Sequence, residues 1–193
     1  MRPVSARETR EISEEERRYR DGSYPRLLDI IRIPIKDVLP EAHQRENHLI
    51  DPECHWEKTG TFAWSDMPDL VDSPPMLWAT NCSSYSGVNN RLPANKPTTA
   101  SLYLVQPSKI VLRVGRKAPE YPDSKRAVRV QFHYNTVQYL LDVTDPCVES
   151  KYLQQADGKY AIDSPYVCIS LGEEYNGYCY KFAAAILTPD RSR

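Results

Sequence analysis

Glycine is scarce in this chain, with seven residues in 193, whereas proline reaches sixteen. That ratio implies stiff connections and little helix, because proline lacks the N–H that a helix interior needs. No apolar run approaches the roughly 18 residues of a membrane-crossing helix. The Arg- and Glu-rich N-terminus has no apolar stretch of the signal-peptide kind, so no signal peptide is expected. The five cysteines (Cys54, Cys82, Cys147, Cys168 and Cys179) are odd in number and form no CxxC pair. Reduced thiols and a cytoplasmic location are therefore expected. The G-x-x-x-x-G-K-[ST] and G-x-S-x-G patterns are both missing, which removes a P-loop NTPase and a serine nucleophile elbow from consideration. No cofactor is expected.

What is present is a soluble composition, 40% hydrophobic and 26% charged, with the charge unevenly spread. The formal net charge is −1, yet residues 37–76 hold nine acids against Arg45 and Lys58. Residues 101–135 hold seven bases (Lys109, Arg113, Arg116, Lys117, Lys125, Arg126 and Arg129) against Glu120 and Asp123. A basic stretch of that kind can track a phosphate backbone. It also fits ordinary solvated strand faces.

The order of elements in the second half is informative. Ser101–Val114 is apolar and β-branched, with Pro107 at an edge or a bend. Ala127–His133 alternates with the period of a half-buried strand, and Thr136–Val143 follows across a Tyr134-Asn135 turn. Asp145-Pro146 opens a short helix over Cys147–Leu153, with proline at its first position. Tyr166–Leu171 and Tyr178–Leu187 close the set across Asn176-Gly177, a dipeptide that favours hairpins. Strand-strand-strand-helix-strand-strand is the order of an OB barrel, whose face and loops bind oligonucleotides and oligosaccharides.

The first half is less regular. Ser13 and Glu16 fit a capping box for a helix over Glu14–Arg20. Leu27–Ile35 reads as its strongest strand, and Trp56, Phe62, Trp64 and Trp78 offer the large apolar groups for a core. The fold class expected is mostly β, with two small OB-like barrels in tandem, residues 1–98 and 99–193. The second is complete and the first has long irregular loops.

A resemblance adds to this. Arg2-Pro3-Val4-Ser5, Glu11-Ile12-Ser13, Leu27-Leu28-Asp29-Ile30-Ile31, Glu46-Asn47-His48-Leu49-Ile50, Leu171-Gly172-Glu173 and Tyr175-Asn176-Gly177-Tyr178-Cys179-Tyr180-Lys181 occur in that order. Together they resemble the bacterial dual-OB-containing domain family over nearly the whole chain. The resemblance implies two tandem OB-like barrels, nucleic-acid-binding or sensor roles, and a place for some members in bacterial conflict and defence systems. It implies no catalytic residues. It also implies a strand and turn ahead of Arg2, so the first barrel is expected to lack its opening strand.

The candidate binding residues follow from two similar turns. Ser84-Tyr85-Ser86-Gly87 with Arg91 echoes Glu174-Tyr175-Asn176-Gly177 with Lys181. Tyr85, Tyr175, Tyr178 and Tyr180 offer stacking faces, Asn176 lies in the turn, and Arg91 or Lys181 suits a phosphate. Arg113, Arg116, Lys125 and Arg129 extend the basic surface along the first two strands of the barrel. The same tyrosines also fit a plain hairpin whose rings alternate between core and rim. His48, Cys54 and His55 are metal-ligand types without paired spacing, so no metal is expected and a surface loop is the simpler reading. The expected function is non-enzymatic recognition of single-stranded nucleic acid or a nucleotide. One alternative is a protein-interaction module using the acidic first-domain and basic second-domain surfaces. The other is an enzyme acting on a nucleotide or small molecule.

Overall fold

Short strands joined by proline-bearing connections make up nearly all the regular structure, as the proline content demands. The structure is a computed structural model that describes residues 1–41, 43–121 and 123–192. It packs as two units. One comprises residues 1–69 with 99–101 and the C-terminal residues from Asp190, and the other residues 70–98 with 102–189. The second unit thus takes in residues 70–98, which lie ahead of the boundary expected near 98, because Leu77, Trp78, Ala79 and Leu92 are buried in its core.

In the first unit, β1 (Arg2–Val4) runs parallel to β4 (Asn47–Ile50), which is antiparallel to β3 (Ile35–Val38). A second pair joins β2 (Asp29–Arg32) to β5 (Glu57–Thr61). The run expected as one strand from Leu27 to Ile35 is two, since Pro34 cannot donate to a ladder. The capping box forms as expected: the Ser13 amide donates to Glu16 Oε2 at 2.8 Å, and the Glu16 amide to Ser13 Oγ at 3.2 Å. It closes a single turn and no helix, because Glu14–Arg20 has too little apolar surface to stabilise so short a helix. The core here is small: Tyr19, Ile50 and Trp56, flanked by Ile12, Ile31, Ile33 and Ile35. This is the less regular of the two OB-like units. A 3₁₀ helix follows over Trp64–Leu70.

The second unit is a closed barrel. Its strands are β6 (Arg91–Pro93), β7 (Leu102–Val105), β8 (Ser108–Arg116), β9 (Arg126–Tyr134), β10 (Val137–Val143), β11 (Gly158–Ala161), β12 (Tyr166–Tyr175) and β13 (Tyr178–Leu187). Helix α1 (Pro146–Leu153) lies between β10 and β11. The run around Pro107 is bent, so β8 pairs with β9 while β7 pairs with β12. One bent run therefore contributes to both sides of the barrel, and the circuit runs from β8 through β9, β10, β13 and β12 to β7. The β10–β13 pairing is parallel, as the helical crossover between them requires. The sequence reading did not include β11, which extends the sheet beyond β8.

Alternation fills the barrel interior. On β9, Val128, Val130 and Phe132 are buried while Arg129, Gln131 and His133 are half-exposed. Phe132 stacks on Tyr139 with ring centroids 5.4 Å apart. Asn176 and Gly177, with φ of 51° and 79°, make the β12–β13 turn that an Asn-Gly pair favours.

Asp145 joins the helix to the last strand. One carboxylate oxygen caps α1 by accepting the Cys147 and Val148 amides, and the other accepts the Ile186 amide at 3.0 Å. Asp145 is buried, so Asp145→Ala removes a cap and leaves a strand N–H without its acceptor. The expected loss is about 2–4 kcal/mol, from about 0.5–2 for the cap and about 1–3 for the orphaned donor. Urea unfolding of the two proteins measures it, and a loss below about 1 kcal/mol, the typical cost of a cap alone, contradicts the double role.

Candidate nucleic-acid interface

Strand register sets a row of charge across the outer face of the second barrel. Lys159 on β11 lies opposite Arg113 on β8, Arg113 opposite Arg129 on β9, and Arg129 opposite Asp142 on β10. Like charges directly opposite one another destabilise a sheet. This row places three bases beside one acid. Asp142 is shared, because Lys117 Nζ reaches its carboxylate at 2.7 Å. Burial lowers the pKa of Arg129, Asp142 opposes that shift, and Arg113 adds to it. The buried Nε–H groups of Arg113 and Arg129 have no acceptor among the described residues. An anion lying over the row would relieve the repulsion and supply acceptors.

The row ends at a cleft built by two loops. Arg129 donates to the carbonyls of Ser86 at 2.7 Å and Lys117 at 3.2 Å, so one guanidinium ties the 83–90 segment to the β8–β9 loop. Between these loops lies a cleft of about 730 Å³ lined by Tyr85, Lys117, Tyr121, Ser124 and Lys125. Tyr85 is 79% and Tyr121 59% exposed, and their rings meet edge to face at 6.2 Å. Asp123 also lines the cleft beside Lys117 and Lys125, and exposed rings flanked by bases are the kind of surface on which nucleobases stack. In OB folds the loop between the first two strands is a ligand-contacting position, and 117–125 is that loop here. Tyr121 was absent from the sequence-derived candidates. The signal that could have found it was an aromatic in the proline-flanked connection between two basic strands.

The remaining candidates fall elsewhere. Arg116 and Lys125 are exposed at the end of β8 and before β9. The two echoing turns are brought together through β6, which pairs with β13 so that Arg91 lies opposite Tyr180. Arg91 sits 4.0 Å over the Tyr178 ring and donates to Tyr180 Oη at 3.5 Å. The base of one turn thus rests on the aromatics of the other. Tyr175 and Asn176 are exposed at the hairpin tip.

Lys181 faces inward, in register with the buried residues Cys179 and Ala183, and is 1% exposed. Its ammonium donates to the carbonyls of Ala79 at 2.6 Å and Asn89 at 2.8 Å, so it is occupied inside the barrel wall rather than offered to a phosphate. It fixes the 79–90 segment between β10 and β13, where Val88 bridges Leu140 on the first of these strands. A side chain at Gly87 would strike the Asn90 side chain and bring its Cβ to 2.8 Å from the Leu140 carbonyl, so glycine permits this close approach.

His48, Cys54 and His55 do not converge, and among the described residues no group of three metal-ligand side chains comes together. His48 Nδ1 donates to the Glu46 carbonyl, and Cys54 is exposed beside Asp51, whose carboxylate pushes the thiol pKa up.

A bent first run, a parallel closing pair and a helix between the third and fourth barrel strands define an OB-type module. The chain belongs to the dual OB-containing domain family, whose model matches residues 1–186. No curated protein and no solved structure matches it. Among the described residues no helix is long and apolar enough to cross a membrane.

Burial pushes Lys181 down from 10.5 to about 7. Between those values the unfolded chain holds a proton that the folded chain lacks, so this residue makes stability rise as pH rises. From pH 7 to 9 the wild type is expected to gain up to about 1.4 kcal/mol per pH unit relative to Lys181→Met. Parallel denaturation curves at pH 7, 8 and 9 give the difference, and identical slopes for the two proteins would contradict a lowered Lys181.

Proposed function

We propose that the protein is a non-enzymatic recognition module that binds single-stranded nucleic acid, or a nucleotide, on the outer face of its second barrel. The observation that carries this reading is the basic row of Lys159, Arg113 and Arg129 running into the Tyr85–Tyr121 cleft. Phosphates pair with the row, and bases stack on the exposed rings. The formal net charge of −1 suits a short ligand read by stacking better than duplex binding, which draws on many phosphate contacts. In the bacterial conflict systems that the family resemblance implies, such a module would supply the recognition step.

Anisotropy titration with labelled single-stranded DNA and RNA of about 12–20 nucleotides tests this, a length covering OB site sizes. Tyr121→Ala and Tyr85→Ala are each expected to weaken binding by about 1–3 kcal/mol, the value of one stacked base. Lys159→Ala is expected to lower the salt slope by about 0.7, the loss of one phosphate contact on a single strand. No saturable binding at about 100 μM, the weak end of non-specific affinity, would overturn the reading and favour a protein-interaction module.

A further inference from the structure

The first unit holds a pocket of its own, about 680 Å³, lined entirely by residues between Tyr19 and Lys58. That volume lies within the roughly 300–1,000 Å³ of small-molecule sites. Its internal acid is already satisfied. The Asp29 side chain is 3% exposed, and its carboxylate takes Lys58 Nζ at 2.5 Å, the Tyr19 hydroxyl at 3.0 Å and the Arg26 amide at 3.0 Å. Burial raises the pKa of Asp29, yet these partners outweigh it and hold the carboxylate charged. The same arrangement pushes Tyr19 up to about 12, through burial first and Asp29 second. Glu57 is spent on Arg32 at 2.7 Å, and Asp21 accepts the amide and hydroxyl of Ser23.

Asp21 has no cationic partner among the described residues, and the other uncommitted groups are donors and rings. The guanidiniums of Arg20 and Arg26 are exposed, and among the described residues neither is in an ion pair. Tyr24, 46% exposed, offers a ring. Trp56 lines the pocket and is 8% exposed, and its indole N–H is buried with no acceptor among the described residues. A buried indole N–H ordinarily has a partner. The pocket therefore combines a donor in need of an acceptor, a flat apolar surface, and two forked cations that match a phosphate.

We propose that this pocket binds a nucleoside monophosphate, with its base against Tyr24, its phosphate on Arg20 and Arg26, and an acceptor of the base or sugar on the Trp56 N–H. The site is independent of the cleft on the second barrel. A free nucleotide and the phosphorylated end of a strand share this chemistry. An aromatic cage for an alkylammonium would use the same rings, but the free guanidiniums would repel it.

Calorimetric titration of the full chain with the four 5′-ribonucleoside monophosphates, adenosine and inorganic phosphate tests the proposal. At least one monophosphate should bind at a single saturable site, more tightly than adenosine or phosphate. Arg20→Ala/Arg26→Ala and Tyr24→Ala replace exposed residues, and each should weaken binding about tenfold or more, while Tyr121→Ala should not change it. Trp56→Phe keeps an aromatic ring, though a smaller one, and removes the N–H; it should weaken binding in protein whose circular dichroism is unchanged. In the Tyr121→Ala background, oligonucleotides with and without a 5′-phosphate separate the two ligand sources. No binding of any monophosphate at about 1 mM, the weak limit of useful affinity, overturns the proposal. So does affinity unchanged by the arginine and tyrosine variants, or phosphate binding as tightly as the nucleotide. None of these outcomes touches the second-barrel reading, which stands or falls on Tyr85, Tyr121 and Lys159.

Discussion

Lys181 holds its ammonium inside the wall of the second barrel against two carbonyls, and the course of residues 79–90 depends on that contact. Strands β10 and β13 pair over only two positions before diverging. The 79–90 segment occupies the gap that results, with Val88 against β10 and Asn90 accepting the Lys181 amide. A buried lysine is costly unless its donors are satisfied. Here two carbonyls take two of its donors, which offsets part of the burial cost that lowers its pKa. They add an anchor to a loop also held by Arg129 and by the Val88–Leu140 bridge. Tyr85 stands on that loop, so one side of the cleft is positioned from the barrel interior.

The outer face shows the complementary principle. A row of three bases against one acid is an arrangement that folding alone would disfavour, since cross-strand pairs of one sign repel. Arg129 offsets part of the cost by donating to loop carbonyls, which keeps its charge while giving it a structural task. Under the proposed reading, recognition and architecture share side chains, and the face is fixed by the fold before a ligand binds.

Most of the second barrel was legible in the sequence because its longer strands carry their own alternation and their turns their own chemistry, although the three-residue β6 was not. Pro107 marked the bend, Asn176-Gly177 the hairpin and Asp145-Pro146 the helix start. Strand β11 was not legible: Gly158–Ala161 is four residues with no buried position, paired only because β8 offers it an edge. The site was half legible. Basic residues on alternating strands could be assigned to an outward face, but their cross-strand register depends on pairing that no local pattern fixes. Lys181 was placed at the surface because a lysine in a strand normally is, and its inward orientation follows from its parity with Cys179 and Ala183. In the first half the prolines fragment the alternation. Thus Leu27–Ile35 read as one strand, and a capping box read as a helix where only a turn forms.

Strand β13 pairs with β6, β10 and β12, and its lysine holds the 79–90 segment. The last strand of the barrel to be synthesised is therefore the one on which earlier elements converge. A nascent chain emerging from the ribosome can form the β8–β9–β10 meander, whose partners are neighbours in sequence. The circuit must wait until the last strand is released. Contacts of such wide sequence separation make folding slow, because loop closure precedes the contacts that stabilise it. During that interval the β10 edge is unpaired, as is β7 until β12 emerges, and an unpaired strand edge is a template for association with other chains. In such a state the β10 edge stays open to other strands until residues 178–187 cover it.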